Sequence, residues 1–331
     1  MENTHFVLNS YGFLVLGLIL VLFNLPVFLV VVCVPKLRQQ YGVLIISLFN
    51  GVFMGVVSCG YGIFRLVLVS TGHDDDRIPL TSCFYNPLTF CLLWTFPMNC
   101  VGLLLNSIDR FLVITFPISY FFHNTKIVVL INIIAIIMNT GVVFGTVYAT
   151  VITSPEGMEI NIFCNQKDLY SFEIFIFLAA SRILFSVLAV CLMFVVLIMF
   201  VKRNQTRSKQ AFQTDQTMER FKRKQMSYTK TMLISCVATI LLMILPSSLS
   251  IVGRATTLDA NGNFTIWTRF VNFFNSLNIA FLMIYRQKDI RWRICKSVNA
   301  VFNKHFFNAS ALQSTSDQQA GRTNDETRRN S

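Results

Sequence analysis

The chain has 331 residues, 54% of them apolar and 13% charged, with 32 phenylalanines and a mean hydropathy of +0.58. That composition excludes an ordinary soluble globular protein and fits one that crosses a membrane repeatedly. A net charge of +12 would suit a basic face on a nucleic-acid-binding domain, but the basic residues cluster between apolar stretches, so no nucleic-acid partner is expected.

The nine cysteines are scattered singly, without a C-x-x-C pair, so neither a zinc site nor a redox motif is indicated and no cofactor is implied. At the start, MENTHFVLNSY has no basic segment ahead of its apolar run. A cleaved signal peptide is therefore not expected, and the first span serves as its own insertion signal.

Seven stretches reach the roughly 20 apolar residues that a helix needs to span a bilayer. They cover residues 12–34, 42–69, 84–116, 127–152, 170–201, 229–253 and 266–285. The expected fold is an all-α membrane protein, a seven-transmembrane helix bundle spanning 12–285 after an extracellular segment, 1–11. Residues 286–307 then read as a basic amphipathic helix on the inner leaflet, with Ile290, Ile294, Val298 and Val301 or Phe302 on one face. The tail, 308–331, is rich in Ser, Thr, Gln and Asn and reads as disordered and cytoplasmic.

Charge sets the orientation. Lys36 and Arg38 follow the first span, and Lys202, Arg203, Arg207, Lys209, Arg220, Lys222, Arg223 and Lys224 follow the fifth. The alternate connections carry Asp74, Asp75 and Asp76, then Glu156, Glu159 and Asp168. One side holds 22 Lys/Arg against 7 Asp/Glu, and the other 4 against 9. By the positive-inside rule the first side is cytoplasmic and the N-terminus lies outside. N-F-T at Asn263 then faces outward as a glycosylation acceptor, whereas Asn204 and Asn308 fall inside.

With the third span running inward, Asp109 and Arg110 stand at its inner end, where charge costs least. Two readings remain open: an edge ion pair that fixes helix depth, or a switch in which Asp109 holds the Arg110 fork until a partner claims it.

Asp109, Arg110, Phe111, Pro117 and Tyr120 keep the spacing of the Asp-Arg-Tyr motif, with its downstream Pro and Tyr, that closes the third helix of rhodopsin-like seven-helix receptors. The chain resembles that family over residues 11–305. The resemblance implies a receptor for an extracellular ligand, acting on a heterotrimeric G protein, with arrestin or a kinase as possible partners at the tail. It also implies a disulfide between Cys83 and Cys164, a kink at Pro246 and a first-span role for Asn24. The departures are Asn50 for the usual second-span Asp, which puts a bound sodium ion in doubt, Ile244 for Trp, and Ile279 and Leu282 for the Pro and Tyr after Asn278. Met226 cannot supply a second lock to Arg110. This pattern looks most like the nematode serpentine chemosensory receptors, class SX or BC, and so implies a multi-pass plasma-membrane protein, with the cilia of sensory neurons as a place for it.

Further polar residues lie within the spans. Asn99, Asn106 and Arg110 fall on one face of the third span, and Asn272, Asn275 and Asn278 recur at threes on the seventh. With Asn24 and Asn50 they read as a buried amide network, either packing glue or a signal relay. Arg182 sits in the outer part of its span and could hold an anionic or carbonyl-bearing ligand, or snorkel to headgroups. Arg65 reads as a snorkelling residue. Leu92, where amine receptors carry Asp, with Trp94 and Phe96, could form the apolar walls of a ligand site. Cys295 is a palmitoylation candidate. The other classes weighed are a transporter or channel, and a membrane enzyme; the latter is disfavoured because all four histidines lie in termini or connections.

Overall fold

The computed structural model describes residues 2–73, 76–155, 157–207, 233–255 and 263–301. The basic residues 209–224, Met226, Phe302 and the tail with Asn308 lie outside these. Among the described residues, six helices are long and apolar enough to cross a membrane: Ser10–Cys33, Leu44–Ser70, Pro87–Thr115, Pro117–Thr153, Phe172–Met199 and Leu233–Gly253. A seventh, Asn263–Arg286, has 24 residues, about 36 Å at 1.5 Å per residue. It is more polar because one side carries Arg269, Asn272 and Asn275, all buried, while Trp267, Phe274, Phe281 and Tyr285 stay exposed. Together these make an all-α bundle of seven membrane-length helices among the described residues.

The third span is the hub. Two thirds (67%) of its most apolar window is buried, against 22% for the fourth span, and it packs against the second, fourth and fifth. The fourth turns Val129, Leu130, Ile133, Ile136, Ile137 and Phe144 outward, as a helix at the lipid boundary should. The first and second spans lie backbone to backbone: a Cβ added at Gly17 would stand 2.7 Å from the Gly55 carbonyl, and one at Gly62 2.8 Å from that of Ser10. Small residues permit this approach where lipid offers no hydrophobic drive to hold helices together.

Most spans begin and end within a few residues of their predicted limits, with two large exceptions: the first helix already begins at Glu2, within the segment expected outside, and the fourth begins early. Residues 117–126 are not a connection but the first turns of the fourth helix, which runs Pro117–Thr153. Proline at N1 explains this, since its fixed φ suits a helix start and its missing N–H was an orphan there in any case. The third and fourth helices are thus separated by Phe116 alone, held at φ −123° and ψ 60°.

At the opposite end of the third span, β1 (Arg77–Pro79) pairs antiparallel with β2 (Glu159–Asn161). A short helix, Leu80–Tyr85, carries Cys83, and Asn86 then caps the third span by accepting from the Leu88 amide at 3.0 Å. Cys83 is disulfide-bonded to Cys164, with Cα atoms 5.7 Å apart. The bond clips the third span to the connection between the fourth and fifth.

After Arg286, the helix Lys288–Val301 packs Ile290 and Ile294 onto the cluster built from Val27, Leu44 and Met283. Tyr41 donates to Gln287 at 3.0 Å, tying this helix to the first connection. Cys295 on it is half-buried. Asn263 is the first residue of the seventh helix, and its side chain is not among those described.

Candidate functional site

At one end of the bundle, Asp109 and Arg110 bond each other directly, and Tyr120 donates to the second Asp109 oxygen at 2.6 Å. Their place near a helix end does not make them solvent-facing: all three are at most 2% exposed. The low burial cost inferred from an edge position therefore does not apply, and the charges are stabilised instead by charge-assisted hydrogen bonds. Pro117 places Tyr120 one turn into the fourth helix, which brings its hydroxyl back to the third. Phe111 and Pro117 are half-buried.

The amides do not form one network. Asn50 donates to the Thr95 carbonyl at 3.1 Å and to Asn99 at 2.9 Å, joining the second and third spans. Asn106 donates to Ser47 at 3.0 Å, joining the same pair one level nearer Arg110. Asn24 turns back to its own Leu20 carbonyl at 2.9 Å and packs against Gly51, where a Cβ would sit 2.6 Å from its oxygen. A separate set joins the sixth and seventh spans. Asn275 accepts from Thr239 at 2.9 Å, and Asn278 donates to Ser235 at 2.9 Å.

Two prolines shape the space between these sets. Pro246 lacks the amide hydrogen that would bond four residues back, and the helix responds just before it with a π-turn, Ile240–Ile244. The turn sends Met243 inward, where its sulfur lies 3.8 Å from the Cys100 sulfur, 3.7 Å from the Ser186 hydroxyl and 3.5 Å from the Asn275 amide. Pro97 lies inside the third helix. Near it the carbonyls of Trp94 and Thr95 take bonds from Asn139 at 2.9 Å and from Asn50, as neighbouring helices do around a transmembrane proline. Pro97, Asn139 and Met243 went unread in the sequence; the two prolines are visible there, but their partners are not.

The predicted apolar walls separate. Leu92 and Phe96 belong to the cluster with Phe13, Tyr61 and Phe273, and the Phe96 and Phe273 rings stack at 5.8 Å. Trp94 instead faces the fourth span, donating to Thr140 at 3.3 Å. Arg182 is buried and its Nε donates to the Leu178 carbonyl at 3.2 Å, so it does not snorkel. Neither does Arg65, which is 1% exposed and lies under the Phe163 ring, 4.6 Å from its centroid. Tyr61 donates to the Phe163 carbonyl, holding that residue in place. Arg269, counted from sequence as an outer-connection charge, is also buried and within electrostatic reach of both other arginines.

A buried charge cluster at one end, an arginine cluster at the other and a proline-distorted centre between them are arranged over seven helices. The family model described as the serpentine-type 7TM GPCR chemoreceptor Srv matches residues 18–300. The chain belongs to this family. Srv is a serpentine chemoreceptor type, as the motif departures indicated, though they had pointed to SX or BC. The matched region runs from within the first span through the other six and nearly all of the following helix of this Srv-family protein. It is therefore a multi-pass membrane protein of a receptor family, not an enzyme family. None of the curated proteins matches the chain.

Proposed function

We propose that this Srv-family protein is a plasma-membrane chemosensory receptor that binds an extracellular ligand at the disulfide end and activates a heterotrimeric G protein at the Arg110 end. The observation that carries the reading is the closed set Asp109, Arg110 and Tyr120. A salt bridge wholly inside the protein is a poor way to gain stability, since desolvation offsets most of its attraction, but a good way to hold a group that is needed later. Opening of the inner ends of the third and sixth spans would release Arg110 from Asp109 to the G protein.

The N-terminus lies outside in this reading, and Asn263 is glycosylated on that side. Cys295 is positioned for palmitoylation beside the inner leaflet. The polar sets give the bundle two arrangements to choose between, because Asn50 with Asn99, and Asn275 with Thr239, are cross-span bonds that can be exchanged rather than simply lost. A ligand shifts the balance by binding one arrangement better.

The test is nucleotide exchange. In membranes expressing the full chain with a G protein, Arg110→Ala should abolish ligand-stimulated exchange while surface expression stays near the parent level. Undiminished exchange would remove Arg110 from the mechanism. A carrier of anions is the second reading, favoured by the three buried arginines; it predicts solute uptake into vesicles that contain no G protein.

A further inference from the structure

Arg65 stands near the disulfide end of the second span, with three rings around its guanidinium: centroids lie 4.6 Å away for Phe163, 5.5 Å for Tyr61 and 6.0 Å for Phe13. Nε and Nη2 are buried and have no hydrogen-bond partner among the described residues. Arg269 on the seventh span and Arg182 on the fifth are buried as well and complete the group.

Arg269 lies within electrostatic reach of Arg65 and Arg182, and a guanidinium costs several kcal/mol to bury without a counter-charge. Nothing among the described residues compensates them. The ion pairs there are His73 with Asp76 and Arg110 with Asp109, both elsewhere. Asp168 is within electrostatic reach of Arg269 but exposed and not ion-paired. Tyr170, beside Arg182, is no counter-charge either, because burial pushes its phenol up to about 12. Buried charges are paired in stable proteins, and no described residue supplies the pair.

We propose that Arg65, Arg182 and Arg269 form the recognition site for a small anionic ligand, a carboxylate on an apolar body. A planar carboxylate matches the unpartnered Nε–Nη2 edge of Arg65, which can bind it with two parallel hydrogen bonds. Its apolar part lies against Phe13, Phe96 and Phe273, the buried aromatic cluster below Arg65. Phe163, fixed by Tyr61, forms the cover. This inference rests on the receptor reading only for its signalling consequence.

Binding is tested on the purified full chain in lipid nanodiscs, without any G protein, so the site and the coupling can fail separately. Sodium benzoate, benzyl alcohol and benzylamine hydrochloride are titrated at constant ionic strength while the melting temperature is followed. Benzoate should raise it saturably, and the neutral and cationic analogues should not. Arg65→Gln and Arg269→Gln should each weaken the benzoate response at least tenfold, yet melt no lower than the parent without benzoate, since each removes an uncompensated charge. Arg77→Gln, at an exposed residue of the β1 strand, should respond as the parent does. A parent that ignores benzoate, variants that respond as the parent does, or variants that melt lower without benzoate would each overturn the proposal, the last by showing that the arginines already have partners in the chain.

Discussion

Tyr120 and Asp109 are joined by a 2.6 Å hydrogen bond across the one-residue break between the third and fourth helices. The bond leaves Asp109 with one oxygen for Tyr120 and the other for Arg110. Tyr120→Phe keeps the ring and removes the hydroxyl, a loss of about 1.5–3 kcal/mol for a hydrogen bond to a charged group. If Tyr120 holds Asp109 in the resting arrangement, ligand-independent nucleotide exchange should rise by roughly threefold to tenfold, because a resting state weakened by even about 1 kcal/mol yields to the active one. Guanine-nucleotide binding in membranes at matched surface expression measures this. Basal exchange at the parent rate would leave Tyr120 a purely structural role.

The glycines make opposite predictions according to where they lie. At Gly55 an added methyl would stand 2.8 Å from the Gly17 carbonyl and from Val21, so Gly55→Ala must push the first two spans apart. Gly141 and Gly145 have nothing within 4 Å of the corresponding position, and alanine is the better helix former by about 1 kcal/mol. Gly55→Ala should therefore lower the melting temperature of the purified protein by several degrees. Gly141→Ala should leave it unchanged or raise it slightly. Equal effects at both positions would contradict the close packing of the first and second spans.

The bundle was legible because membrane-crossing helices announce themselves through length and hydropathy, and most spans fall close to their predicted limits. The error at 117–126 has a physical source: PISYFFHNTK is too polar to read as a span, yet Pro117 can start a helix whatever follows it. The motif residues at the Arg110 end were legible because they keep the spacing of a motif in the family that the chain resembles. The disulfide end was not. Nothing in the sequence shows that Arg269, near the start of the span 266–285, comes within electrostatic reach of Arg65 and Arg182, which arrive from 204 and 87 residues away. Likewise the asparagines were visible, but which of them would meet depends on the π-turn before Pro246 and on Pro97, and no periodicity encodes either.

Cysteine chemistry checks the disulfide end. Cys83 and Cys164 are bonded, and seven cysteines are free: Cys33, Cys59, Cys91, Cys100, Cys191, Cys236 and Cys295. Alkylation under denaturing, non-reducing conditions should label seven positions by mass spectrometry, and nine after reduction. Cys83→Ser and Cys164→Ser should each lower the melting temperature, and the double variant should be no worse than either single one, because only one bond exists to lose. A larger effect in the double variant would mean that the two cysteines act independently. Palmitate, if attached at Cys295, would appear in the same experiment as a hydroxylamine-sensitive mass on that residue.

The orientation of the bundle is tested by its two best-placed asparagines. Asn204 lies in the last turn of the helix Phe172–Arg207, beside Lys202 and Arg203, where positive charge keeps a segment on the cytoplasmic side. Asn263 opens the seventh helix at the other end, in the same half of the bundle as the Cys83–Cys164 bond. In cells that glycosylate asparagine, the parent chain should shift to lower mass on treatment with a peptide N-glycosidase. Asn263→Gln should abolish the shift, and Asn204→Gln should leave it intact. If removing Asn204 is what abolishes it, the N-terminus is inside, Arg110 faces outward, and the switch at Asp109 cannot meet a cytoplasmic G protein.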